Sequence, residues 1–185
     1  MKDKKVAVFK ELAGQVPVNR LSTRDEATRK LGAQLLLSEV LEYVISGLGV
    51  TPVLDGRKID CSEGLSYEVH APANPTEMID GLADTAYTMF WNALAFGVPL
   101  EAAFDLVCDN NLQKFVRLEN WSGPIGVLPE QFWDCGKSVS WPAEVASVTV
   151  LEVSGELFAV GKDAKGKVRK PSTYKPVDLS ELIKS

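Results

Sequence analysis

Glu77-Met-Ile-Asp80-Gly-Leu-Ala-Asp84-Thr-Ala-Tyr87-Thr-Met-Phe-Trp-Asn-Ala-Leu-Ala-Phe-Gly97 reads as a helix with a defined start and stop. Asn74 offers a capping oxygen, Pro75 suits the first helical position, and Gly97 ends the pattern before Pro99. Side chains three, four and seven positions apart share a helix face, so Asp80, Asp84 and Tyr87 line up. Met78, Ile79, Leu82, Ala86, Met89, Phe90 and Ala93 take the opposite side. Two aspartates one turn apart on a helix otherwise suited to burial need a partner for their charge, and a divalent metal is the partner expected.

Working outward, Thr23-Arg-Asp-Glu26 has capping-box spacing and starts a second helix reaching about Gly47. Leu31, Leu35, Leu36, Leu37, Val40, Leu41, Val44, Ile45 and Leu48 cover most of its circumference, the mark of a buried helix. Glu39 and Glu42 nevertheless share one of its faces. Lys4–Ala13 reads as a short amphipathic helix, Val16-Pro17-Val18 as extended, and Pro99 to about Leu118 as a fourth helix. Between the two central helices, residues 50–75 read as an insertion with short strands at Val53–Arg57 and Leu65–His70 around a turn. Residues 119–161 hold Trp121, Trp133 and Trp141 in a loop-rich excursion whose aromatics pack against something, ending in a hairpin around Ser154-Gly155. A basic tract and a short terminal helix, Asp178–Lys184, follow. The expectation is a single domain over residues 1–185: an all-α core, a four-to-five-helix bundle, with a small β-hairpin insertion and a C-terminal β-hairpin decoration.

The chain of 185 residues is 45% hydrophobic with a net charge of −5, enough to bury one core and no sign of a nucleic-acid-binding surface. Cys61, Cys108 and Cys135 are odd in number and widely spaced, which argues against a disulfide framework or zinc site. The start lacks the apolar run of a secretion signal, and no segment reaches bilayer-spanning length. A cytoplasmic protein without membrane association is expected.

Glu39 and Glu42 with Asp80 and Asp84 form an oxygen-only ligand set if their helices pack antiparallel. Mg²⁺, or alternatively Mn²⁺, suits such ligands and keeps positions open for phosphate oxygens. The bland alternative is a solvated acidic stripe. Glu77 stands three residues after Asn74, where it can serve the cap or a metal. Asn111 and Lys114 can serve a base edge and a phosphate, or simply a solvated helix end. The Lys165, Lys167, Arg169, Lys170 tract is either a mobile arm for a polyphosphate or a solvated loop. Gly136-Lys-Ser138 lacks the first glycine of a phosphate-binding loop, Gln131 standing there. His70, the one histidine, leaves no Glu-x-x-His pairs for a di-iron site and no catalytic triad.

Four stretches in order carry a resemblance: Leu35-Leu-Leu-Ser-Glu39-Val-Leu-Glu42, Asp80-Gly-Leu-Ala-Asp84-Thr-Ala-Tyr87, Asn111-Leu-Gln-Lys114 and Gly166-Lys-Val-Arg-Lys-Pro171. Together they resemble the MazG-like and phosphoribosyl-ATP pyrophosphohydrolase-like superfamily of all-α nucleoside triphosphate pyrophosphohydrolases, in particular phage-encoded or phage-derived members. The resemblance implies cleavage of a (d)NTP to (d)NMP and pyrophosphate, with Glu39, Glu42, Asp80 and Asp84 as metal ligands and Glu39, Glu42 and Asp84 as catalytic residues. It implies nucleotide contacts from Asn111, Lys114, Lys167, Arg169, Lys170 and Tyr174, the Lys-Pro…Tyr segment closing over the phosphates. It also implies a homodimer or homotetramer in the cytoplasm, that of the host if phage-encoded. Ser38 stands where the family has the first glutamate of a pair, and Gly81 where it has the E-x-x-D glutamate. Two alternatives follow: a hydrolase of phosphoribosyl-ATP or an alarmone, or a catalytically impaired nucleotide-binding protein.

Overall fold

Val145-Ala-Ser-Val148-Thr-Val150-Leu-Glu-Val153 pairs antiparallel with Glu156–Asp163 across the Ser154-Gly155 turn, and this hairpin is the centre of the structure rather than a decoration. The computed structural model describes residues 3–15 and 17–183, the side chain of Asp3 excepted. Its helices are α1 (Asp3–Leu12), α2 (Glu26–Glu42), α3 (Pro75–Phe96) and α4 (Leu100–Leu112). Its strands are β1 (Val53–Leu54), β2 (Arg57–Lys58), β3 (Val116–Leu118), β4 (Gly126–Val127), β5 (Val145–Val153) and β6 (Glu156–Asp163). The strands form two sheets, a two-stranded β1–β2 hairpin and a four-stranded antiparallel sheet of order β3-β6-β5-β4.

This corrects the all-α expectation. About 40% of the chain is helical and 15% is strand, yet the tightest core is the sheet: Val148, Val150, Ala159 and Val160 are fully buried. The physical reason is local. Residues 116–118 continue the apolar run of α4, but α4 stops at Leu112, capped by Gln113, and the chain turns into β3. With strands of three and two residues flanking it, the hairpin lacks a visible sheet in the sequence.

The chain divides into two compact units: residues 1–17 with 88–185, and residues 18–87. In the first, side-chain alternation along β5 and β6 gives the sheet two apolar faces. Val148, Val150, Leu157 and Ala159 meet Trp121, Trp133 and Trp141 from the excursion. Leu151, Val153, Phe158 and Val160 meet Phe9 and Leu12 of α1 and Leu112 and Phe115 at the end of α4. Every indole N–H in that tryptophan cluster has an acceptor: Trp121 donates to the Pro124 carbonyl, Trp133 to Leu128 and Trp141 to Trp133, at 2.9–3.1 Å. Gly161 lets Trp141 lie flat on β6, since a Cβ there would sit 2.4 Å from the indole. Lys5 ties α1 to α4 through Asp109 at 2.8 Å, and this bond raises the Lys5 pKa.

In the unit of residues 18–87, α2 starts two residues later than the capping box predicts. Asp25, not Thr23, is the cap, its carboxylate accepting the Thr28 N–H at 2.7 Å, which lowers the Asp25 pKa. After Glu42 the helix widens into one π-helical turn, Tyr43–Gly47. α3 begins as its sequence predicts, with Asn74 accepting from Thr76 N–H at 3.1 Å, and ends before Gly97. Asp55 and Gly56, both at positive φ, make the β1–β2 turn, whereas Leu65–His70 forms no strand. The structure also departs from the expectation of a buried α2: Leu41 alone is buried among the described residues of this unit, while Leu35, Leu36, Leu37 and Val40 stay exposed. The terminal helix is reduced to one tight turn, Ser180–Leu182, with the Asp178 carboxylate accepting the Ser180 N–H at 2.9 Å. Val16 and Lys184 lie outside the described residues.

Candidate functional site

The acidic side chains sit on the two helices of residues 18–87. Glu39 and Glu42 lie on the last turns of α2, and Asp80 and Asp84 on the first half of α3. All four are exposed, and none joins an ion pair among the described residues. Their spacing does put each pair one turn apart on its own helix. The two pairs are not gathered within one chain: α2 and this part of α3 do not pack as an antiparallel pair, and no cluster of three or more His, Cys, Asp or Glu positioned for a metal occurs among the described residues. The oxygen chemistry of the four suits Mg²⁺. Glu77 is exposed in the first turn of α3, and His70 is exposed.

The same two helices also expose apolar side chains, on α3 mostly on the side opposite Asp80 and Asp84. On α2 these are Leu35, Leu36, Leu37 and Val40; on this part of α3, Met78, Ile79, Leu82 and Tyr87. That many exposed large apolar side chains on two helices is more than isolated surface residues account for.

The predicted nucleotide-contacting residues lie in the other unit. Asn111 is half-buried in the last turn of α4, and Lys114 follows the cap with its ammonium 5.8 Å from the Phe9 ring centre. The neighbouring Asn110, which the sequence reading passed over, is buried. It donates to the Lys175 carbonyl at 2.6 Å and accepts from the Tyr174 hydroxyl. Tyr174 and its Lys-Pro segment are thus docked on the end of α4, with Lys170 stacked 4.7 Å over the Tyr174 ring. Ser172 fastens the same segment to Ser140 in both directions.

The basic tract is likewise organised rather than free. Asp163, whose side chain is only 8% exposed, accepts from the N–H groups of Lys165 and Lys167 at 2.9 Å and binds the Arg169 guanidinium at 2.8 and 3.0 Å. Arg169 is committed to that pair, while Lys165, Lys167 and Lys170 keep exposed side chains. The Asp-x-x-Gly spacing of Asp163–Gly166 is an Asx-turn signal that would have found this hub in the sequence. Lys162 is partly buried, donating to the Ala13 carbonyl at the end of α1, and burial lowers its pKa.

Cys61, Cys108 and Cys135 are all free thiols. Burial pushes the Cys135 thiol up to about 11, with Asp134 adding to it. No single described helix is long and apolar enough to cross a membrane. No protein-family model, curated protein or solved structure matches the chain.

Proposed function

We propose that this protein is a metal-dependent nucleoside triphosphate pyrophosphohydrolase that acts on the deoxynucleotide pool in the cytoplasm as a homo-oligomer. The observation that carries this reading is the pair of helices in residues 18–87: each leaves an apolar face uncovered and each carries two carboxylates one turn apart. A unit of this length with Leu41 as its one buried residue lacks a core of its own. A second copy laid against the same faces would supply that core, and an isologous contact would carry a second set of the four carboxylates into the same assembly. A divalent ion held there would neutralise phosphate charge and lower the pKa of a bound water. Of the chain's own groups, Glu42 and Asp84 hold the donor positions, and Glu39 takes the proton of the attacking water.

The test is pyrophosphate release from a panel of NTPs and dNTPs with Mg²⁺ or Mn²⁺, in the wild type and in Glu42→Gln. Turnover that Glu42→Gln abolishes supports the reading. Nucleotide binding without pyrophosphate favours a non-catalytic binding protein, the reading that Ser38 and Gly81 support. Neither binding nor turnover rejects both.

A further inference from the structure

A cleft of about 410 Å³ lies between the start of α2 and the irregular segment that precedes α3, and two of the residues lining it, Arg29 and Tyr67, each carry a buried polar atom without a partner. Arg29 and Lys30 line it from the helix, and Tyr67 and Glu68 from the segment, with Ala33 and Val69 as apolar wall. The Arg29 guanidinium donates through Nη1 to the Ala71 carbonyl at 3.1 Å, while its Nε and the Tyr67 hydroxyl are sealed from solvent and unpaired. Two buried donors without acceptors are an unusual expense for a fold to carry, and such groups ordinarily find a protein or water partner. Both lack the same thing, an acceptor oxygen, and the one beside a guanidinium is best satisfied by an anion. Lys30 adds positive charge, although Glu26 holds it at 2.9 Å.

We propose that this cleft binds the oxyanion head of a small organic anion, a phosphate monoester or a carboxylate, whose body rests on the Ala33 and Val69 wall. Arg29 Nε and the Tyr67 hydroxyl both donate to the head. One side-chain hydrogen bond, Arg29 to Ala71, ties the segment to α2 among the described residues, and the head reaches the two buried donors by parting the segment from the helix there. Glu68 at the same cleft, with Glu26 on Lys30, leaves little net positive charge, which suits a head of low charge better than a polyphosphate. The cleft does not depend on the pyrophosphohydrolase reading, since it shares none of the four acids.

The full chain is titrated with phenyl phosphate and with benzoate, reading isothermal calorimetry and melting temperature. Saturable binding of either probe is expected, with phenyl phosphate alone assigning a phosphate head and benzoate alone a carboxylate. Arg29→Met should weaken it at least tenfold. Tyr67→Phe should weaken it severalfold while raising the melting temperature of the unliganded protein, because it removes an unpaired hydroxyl. That opposed pair of effects is not produced by a merely structural tyrosine. If Arg29→Met does not fold, Tyr67→Phe decides alone. Absence of saturation with both probes, or unchanged affinity in the folded variants, overturns the proposal.

Discussion

Leu82→Glu separates a chain that is complete alone from one that needs a second copy. In the single chain Leu82 is 64% exposed, in the middle of the apolar face of α3. If the protein is monomeric, glutamate there is a surface substitution on a helix and changes stability by no more than about 0.5 kcal/mol. If the face is covered by a second copy, the remaining leucine surface is buried there. Full burial of a leucine is worth about 1.5–3 kcal/mol, so the part still exposed accounts for roughly 1–2 kcal/mol. A two-fold contact carries the change twice, which gives about 2–4 kcal/mol before the cost of desolvating two carboxylates is added. That corresponds to a dissociation constant weakened by a factor of roughly 30 to 1,000. Light scattering coupled to size exclusion, over a dilution series of wild type and variant, reads this directly. The wild type should elute as a dimer or tetramer and the variant should dissociate at concentrations where the wild type holds. A wild type that is monomeric and cooperatively folded throughout the series would refute the reasoning, and the composite acid site would go with it.

Two further outcomes test the other unit. Asp163→Ala should cost about 2 kcal/mol, below the roughly 3–5 kcal/mol of breaking a fully buried ion pair because Arg169 keeps a third of its surface in water; a thermal melt unchanged within error would show that the turn does not depend on this carboxylate. The raised Cys135 pKa gives a pH signature. The folded thiol keeps its proton to about 11, whereas the unfolded one releases it near 9.0, so the stability it contributes is complete below pH 9 and is lost as pH rises toward 11. Denaturant unfolding of wild type and Cys135→Ala at pH 8 and 10.5 should show the difference between them shifting against the wild type by about 2 kcal/mol at the higher pH. A constant difference would mean that the thiol titrates normally and that its surroundings admit water.

How much of this was legible in the sequence depends on the range of the forces involved. The limits of α3 were, because Asn74, Pro75 and Gly97 act through hydrogen bonds and dihedral preferences that reach only a few residues. The sheet was not. Its central hairpin shows in the alternation of Val148 and Val150, but β3 and β4 carry three and two residues and close the sheet through contacts remote in sequence. Asn110 was hidden for a related reason: nothing local distinguishes it from Asn111, and its partners lie more than sixty residues away. The expectation that α2 is buried fails in a more instructive way. Periodicity reports that Leu35, Leu36, Leu37 and Val40 need to leave water, and it is silent on which chain provides the cover. In one chain nothing does, since Leu41 is the sole buried residue of its unit. The same property that misled the fold reading therefore carries the proposed function: a helix pattern suited to burial, found exposed beside Glu39 and Glu42, is what a second set of helices would cover. The proposed joint action of the acids rests on that cover, and the dilution series on Leu82→Glu tests it.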